Sequence, residues 1–224
     1  NFAFNEERTS KSWAVFGNVS YDLSDRLEVG AGLRYFEDDR GEINKTSLAS
    51  ASETFDAVSP RAYISFDVTD NVTTYASVSK GFRSGGFNIS TGQPPYEPEE
   101  LMSYEVGTKL ALMEGKLDAE ISAFYSDWSD YQINGTDPVT TFNFAQNAGD
   151  VEIKGIDWML TFRPSEQTQV MFNGSYIDAE FTDIEVLSTS HIVGDSVDDI
   201  PEFQFGISIN QDFSMNGKPG FIRV

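Results

Sequence analysis

The sequence predicts an all-β chain: a segment of an antiparallel transmembrane β-barrel with short turns at one end and long loops at the other. Three observations carry this. Apolar and polar residues alternate with a period of two along most of the chain. The connections between alternating stretches are by turns tight and long. Finally, the apolar face of each stretch is nearly free of charge, while its opposite face carries charges of both signs.

Taken in order, SWAVFGNVSY places Trp13, Val15, Val19 and Tyr21 on one face. In RLEVGAGLRYF, Leu27, Val29, Ala31, Leu33 and Tyr35 alternate with Glu28, Gly30, Gly32 and Arg34. RAYISFDV sets Ala62, Ile64, Phe66 and Val68 opposite Arg61, Tyr63, Ser65 and Asp67. The next stretch, YASVSKGFRSGGFN, is poor in bulky residues, and pattern alone does not say whether Tyr75, Ser77 and Ser79 or Ala76, Val78 and Lys80 form its apolar side. Its glycines, Gly81, Gly85 and Gly86, allow the chain to bend where the strand ends.

SYEVGTKLAL opposes Tyr104, Val106, Leu110 and Leu112 to Glu105, Gly107 and Lys109. KLDAEISAFY does the same with Leu117, Ala119, Ile121, Ala123 and Tyr125 against Asp118, Glu120 and Ser122. KGIDWMLTFRP sets Ile156, Trp158, Leu160 and Phe162 against Asp157, Met159, Thr161 and Arg163. QVMFNGSY offers Val170, Phe172 and Tyr176, and EFQFGISINQD offers Phe203, Phe205, Ile207 and Ile209. With a last stretch cut short at FIRV, about nine full strands and a partial tenth are expected, and no segment carries a helical period.

Short turns are expected at Leu23–Arg26, Thr69–Asn71, Met113–Gly115 and Pro164–Gln167, with a fifth in Ser214–Gly220. Long polar loops are expected at Glu37–Phe55, Ser84–Glu100, Tyr131–Asp150 and Phe181–Ile200. Tight turns on one side and large loops on the other are the anatomy of a bacterial outer-membrane barrel. A soluble sandwich also alternates, but it does not need a charge-free apolar face on every strand. Aromatics near strand ends (Trp13, Tyr21, Tyr35, Tyr104, Tyr125, Trp158, Tyr176) fit interfacial girdles.

Composition narrows function. With 36 Asp+Glu against 15 Lys+Arg the formal charge is −21, which argues against nucleic acid as a partner. There is no cysteine, hence no disulfide framework and no thiolate metal site. The chain starts without Met and stops at GFIRV; it reads as an excerpt of a longer protein.

The blocks VTTYASVSKGFRSGGFN, YEPEELMSYEVGTKLALMEGKLDAEISAFYSDWSDYQ and FNFAQNAGDVEIKGIDWMLTFRPSEQTQVMFNGSYIDAEFTD together resemble the barrel of TonB-dependent outer-membrane receptors. AVFGNVSYDLSDRLEVGAGLRYFEDD and IPEFQFGISI extend the resemblance over nearly the whole chain. It implies a barrel of about 22 strands in the bacterial outer membrane, surrounded by its lipid and filled by an N-terminal plug. A TonB complex at the inner membrane would drive it through a TonB box. Residues 1–224 would then be part of that barrel, without plug, TonB box or barrel C-terminus. The implied activity is energised uptake of a large scarce nutrient, a ferric siderophore first, with cobalamin, haem or a glycan as the family's other cargoes. No enzyme activity and no cofactor are expected, and a passive porin is the rival reading.

Candidate ligand-contacting residues lie on the long-loop side: Arg83, Phe87, Tyr96, Phe142 and Phe144, with Tyr131 as a further loop aromatic. Lys80 and Arg83 are read first as structural. Any attraction of an anionic cargo must come from local bases such as Arg40, Lys45 or Arg83. Two acidic segments, Glu37–Glu42 and Gly194–Asp199, lack the spacing of a calcium loop and are expected to be solvated loops. The single histidine, His191, lies near Ser188, Ser190 and Asp195, but no strand-to-helix elbow presents a nucleophile, and a solvated loop histidine is expected.

Overall fold

A computed structural model describes residues 5–184 and 191–224. Ten strands form one antiparallel sheet: β1 (Glu6–Ser24), β2 (Leu27–Asn44), β3 (Ser50–Thr69), β4 (Val72–Arg83), β5 (Glu99–Leu112), β6 (Leu117–Ser129), β9 (Val151–Ser165), β10 (Thr168–Phe181), β11 (Phe203–Met215) and β12 (Lys218–Arg223). Two short strands, β7 (Gln132–Thr136) and β8 (Asn143–Asn147), form a separate hairpin between β6 and β9. Every strand of the large sheet pairs with its neighbour in sequence, save that β6 pairs β9 across that hairpin. The wall is therefore a simple meander.

The short turns fall where the sequence puts them. Asn216 and Gly217 join β11 to β12 with φ of 52° and 74°, the left-handed pair that a two-residue type I′ hairpin requires. Residues 113–115 also take positive φ between β5 and β6. Register then aligns the faces. One row runs Tyr21, Val29, Ile64, Ala76, Val106, Ala123, Ile156, Tyr176, Phe203 across nine strands without a polar residue other than tyrosine. The adjacent row, on the other face, runs Asp22, Glu28, Ser65, Tyr75, Gly107, Ser122, Asp157, Ser175, Gln204. This resolves the stretch left open by pattern: Ala76 and Val78 belong to the apolar face, Tyr75 and Ser77 to the polar one. Val106 is 58% and Phe203 57% exposed, so the apolar face is bare.

On the polar face, bulky rings lie over glycines of the neighbouring strand. Tyr63 pairs with Gly30 and Tyr75 with Gly107, and a Cβ at Gly107 would fall 2.5 Å from the Tyr75 ring. Each tyrosine hydroxyl then donates to an acid: Tyr63 to Glu28, Tyr75 to Glu105 at 2.5 Å and to Glu120 at 3.2 Å.

Two expected loops are corrected, and of these Tyr131–Asp150 carries the β7–β8 hairpin. Glu37–Phe55 is a loop only at residues 45–49, because β2 runs on to Asn44 and β3 starts at Ser50. Along these extensions the alternation continues with its sign reversed. Asp127, Glu152, Lys154, Asp178 and Glu180 continue the apolar face, whereas Trp128, Val151, Ile153, Ile177, Ala179 and Phe181 continue the polar one. In β3, Phe55 (6% exposed) and Ala57 are likewise buried on the polar-face side. Past the apolar band the outer side meets water and takes charge, and the inner side packs loops and takes apolar groups. That reversal hides the period from a reading that looks for one apolar face. The girdle residues mark the switch: Trp13 Nε1 donates to Glu37 at 2.9 Å, and Tyr176 Oη to Glu202 at 3.2 Å.

Candidate functional site

The long-loop end assembles from side-chain amides. Asn88 Nδ2 donates to the carbonyls of Pro94 and Ala145, both at 2.7 Å, and its Oδ1 accepts from the Ala145 N–H at 3.1 Å. Gln132 Nε2 reaches the carbonyls of Ser84 (3.2 Å) and Glu97 (2.9 Å), and Asn147 exchanges two bonds with the Glu97 backbone. The 84–98 loop is thereby fastened to the β7–β8 hairpin. Asp137 shapes the hairpin's tip; the Thr140 and Val139 N–H groups hold its carboxyl below the usual range.

Underneath, the acidic segment Glu37–Glu42 is strand rather than solvated loop. Its charged side chains alternate, so Asp38 and Glu42, 2% and 3% exposed, turn inward. Asp38 accepts from Ser10 (2.6 Å), Arg40 (2.7 Å) and Ser84 (3.1 Å). Burial pushes its carboxyl up, but these bonds prevail and hold it below its ordinary value. Arg40 also donates to the Gly85 carbonyl at 2.9 Å, tying the loop's base to β2.

Three of the five candidate residues meet. Phe87, Tyr96 and Phe144 line a cavity of roughly 200 Å³ with Arg8, Glu42 and Asn88, and a neighbouring one of roughly 210 Å³ shares Arg8, Glu42, Phe87 and Tyr96. Gly86 makes this possible: it bridges Tyr96 through the backbone, and a Cβ there would fall 2.5 Å from the tyrosine hydroxyl. Phe142 lies instead at the end of the hairpin turn, its carbonyl accepting from Asp137 N–H at 3.0 Å. Arg83 is committed to Glu99 at 2.7 Å and to the Gln132 carbonyl at 3.2 Å.

The other bases considered are paired too: Lys80 with Glu100 (2.7 Å), Arg40 with Asp38, and Lys45 with Glu7 (2.9 Å). Tyr131 packs edge-on against Trp128 at 4.8 Å within the cluster around Val151 and Phe181, and burial pushes its hydroxyl up. His191 stacks on Phe181 (4.9 Å) with Nε2 3.2 Å from Asp198, whereas Asp195 accepts from the Ile192 N–H. Ser188 and Ser190 lie outside the described residues. Gly194–Asp199 is loop apart from one bridge residue, with Val197 buried beneath it.

Sequence reasoning missed Asp38, Glu42, Asn88 and Gln132. For the two acids a signal existed, since residues 38, 40 and 42 share one face of a strand; for the two amides nothing local distinguishes them. No group of three or more His, Cys, Asp or Glu able to hold a metal ion occurs among the described residues. The site offers a carboxylate, aromatic walls and amides in a fixed frame.

The family model described as "TonB dependent receptor-like, beta-barrel" matches residues 1–221. The metal-pseudopaline receptor CntO of Pseudomonas aeruginosa is 29% identical over 177 residues, covering 73% of this chain and 24% of the relative. The pesticin receptor of Yersinia pestis is 24% identical over 212 residues, covering 90% and 30%. Among solved structures, the ferric yersiniabactin uptake receptor FyuA from Yersinia pestis superposes with a TM-score of 0.77 at 21% identity, over 97% of this chain and 34% of that one. The siderophore receptor PiuA from Acinetobacter baumannii gives 0.72 at 17%, over 93% and 32%. The chain thus spans between a quarter and a third of the relatives it matches.

Proposed function

The chain belongs to the TonB-dependent receptor β-barrel family of Gram-negative outer-membrane proteins, and from that premise we propose that it is part of the barrel wall of a receptor for energised uptake of a metal chelate, a ferric siderophore first. The observation that carries this reading is the match of the family model over residues 1–221, joined by relatives named as a metal-pseudopaline receptor and a probable TonB-dependent siderophore receptor. In this reading the apolar face meets lipid and the polar face lines the lumen. Tyr63, Tyr75, Glu28 and Glu120 border an inward hollow of roughly 520 Å³.

The remaining strands, the plug and its TonB box belong to the rest of the protein. Loops fastened through Asn88, Gln132 and Asn147 hold Phe87, Tyr96 and Phe144 at the outer mouth, where cargo first docks; Arg83 stays with Glu99, and Phe142 at the hairpin turn. Because Arg40, Lys45 and Arg83 are each paired, recognition there relies on shape, aromatics and donors more than on a positive field.

Deletion of the full-length gene tests this. Loss of radiolabelled ferric-siderophore uptake on deletion, and its abolition in wild type by a proton uncoupler, is expected. Unchanged iron uptake would move the cargo to cobalamin or a glycan, and uncoupler-insensitive uptake through the protein would favour a porin.

A further inference from the structure

We propose that the cavity at the outer mouth is a subsite for a primary ammonium group, with Glu42 as its counter-ion. Glu42 is 3% exposed, and its Oε1 is buried with no hydrogen-bond partner. Its Oε2 is ion-paired with Arg8, Nε at 3.3 Å, and that guanidinium is shared with Glu6 at 3.2 Å. A carboxylate oxygen so enclosed is costly unless a donor fills it.

The surroundings select the donor. Glu6 and Glu42 against Arg8 leave one negative charge at the cavity, which asks for a monocation. Phe87, Tyr96 and Phe144 supply aromatic walls, whose faces attract a desolvated ammonium. A guanidinium would want both carboxylate oxygens for its fork, and one is taken. A hard divalent ion would want six or more oxygens, and no acidic cluster offers them. Of the two spaces that share Arg8, Glu42, Phe87 and Tyr96, each is roughly 200 Å³, below the ~300 Å³ at which sites begin to enclose a drug-sized ligand. Such a space takes an amine-bearing arm, not a whole chelate.

This deepens the receptor reading, on which it rests for the source of the amine. The test is calorimetric titration of the purified full-length receptor in detergent with n-butylammonium chloride, with 1-butanol as the uncharged control. Saturable binding of the amine and none of the alcohol is expected. Glu42→Gln, which keeps the shape and removes the charge, should weaken it by about tenfold to a hundredfold. Phe87→Ala and Phe144→Ala leave the Glu42–Arg8 pair intact; each should weaken binding severalfold, and they carry the test if Glu42→Gln does not fold.

No saturable binding, equal affinity in the variants, or displacement by magnesium at matched ionic strength would overturn the proposal. Titration in micelles needs no energy coupling, so its failure is distinct from a failure of uptake. Competition in cells then assigns the source of an established site. Inhibition of ferric-siderophore uptake by butylammonium in wild type but not in Glu42→Gln points to the cargo's own arm, and unaffected uptake points to a free amine.

Discussion

The Asn88 side chain pairs with Ala145 as one strand residue pairs with another, donating to its carbonyl at 2.7 Å and accepting from its N–H at 3.1 Å across 57 positions of sequence. This ring of two bonds, with a third to Pro94, makes a loop and a hairpin into one body. Asn88→Ala leaves these part-buried groups to water, with a loss of about 1–3 kcal/mol for any that water does not reach. Amide exchange should quicken at residues 86–97 and 143–147, with the wall strands unchanged. Equal protection in the variant would show that Gln132 and Asn147 suffice to hold the loop.

Tyr75 over Gly107 makes a second, more local prediction. The Cβ of Gly107→Ala would meet the Tyr75 ring at 2.5 Å, so the ring must leave its place and with it the bonds to Glu105 and Glu120. We expect a loss of about 1–3 kcal/mol in urea unfolding of the reconstituted full-length protein. Tyr75→Ser removes the clash, so adding Gly107→Ala to it should cost little. The double-mutant cycle should therefore show coupling of about 1 kcal/mol or more. Additive losses would mean that the ring yields freely.

The wall was legible in the sequence because lipid and lumen impose one rule on every strand: a continuous row such as Tyr21–Val29–Ile64–Ala76 needs only alternation to be seen. The outer extensions were not legible for the same reason. Once Asp178 replaces Tyr176 on one face and Phe181 replaces Ser175 on the other, alternation persists but its meaning reverses, and Glu37–Phe55 reads as a polar loop. The site was legible only in residue type. Aromatics on the loop side suggested Phe87, Tyr96 and Phe144, but their meeting depends on Asn88 and Gln132, whose partners lie some fifty positions away.

That reversal fixes a membrane boundary, and depth-dependent cost checks it. Val106 sits in the middle of the apolar face, where an arginine should cost about 2–4 kcal/mol; Asp178, two positions beyond Tyr176, lies past the girdle, where it should cost about 0–1. Val106→Arg and Asp178→Arg compared in the same liposomes should differ accordingly. Similar costs would place the boundary elsewhere. Removing Asp178 takes one of two partners from Lys154, which keeps Glu180 at 3.6 Å.

Asp38 makes the loop assembly pH-dependent, and the sign follows from its carboxyl lying below the ordinary range. A group whose folded value is depressed contributes stability that is fully present above its unfolded value, about 3.9, and is lost as pH falls through the folded one. Protonation would turn an acceptor of three hydrogen bonds into a group that must donate one, at a position 2% exposed. Ser84 and Arg40 would then release the base of the 84–98 loop, since Arg40 is also the donor to Gly85. Between neutral pH and pH 4 the loop should stay fixed; below that, exchange protection of residues 84–88, corrected for the intrinsic rate, should fall before that of the β4–β5 pair. Asp38→Asn imitates the protonated state without its proton, so its loop should be loose already at pH 7 and show a flat pH profile. A wild-type loop that keeps full protection to pH 3, or an Asp38→Asn loop as protected as the native one, would transfer the fastening to Asn88 and Gln132 alone.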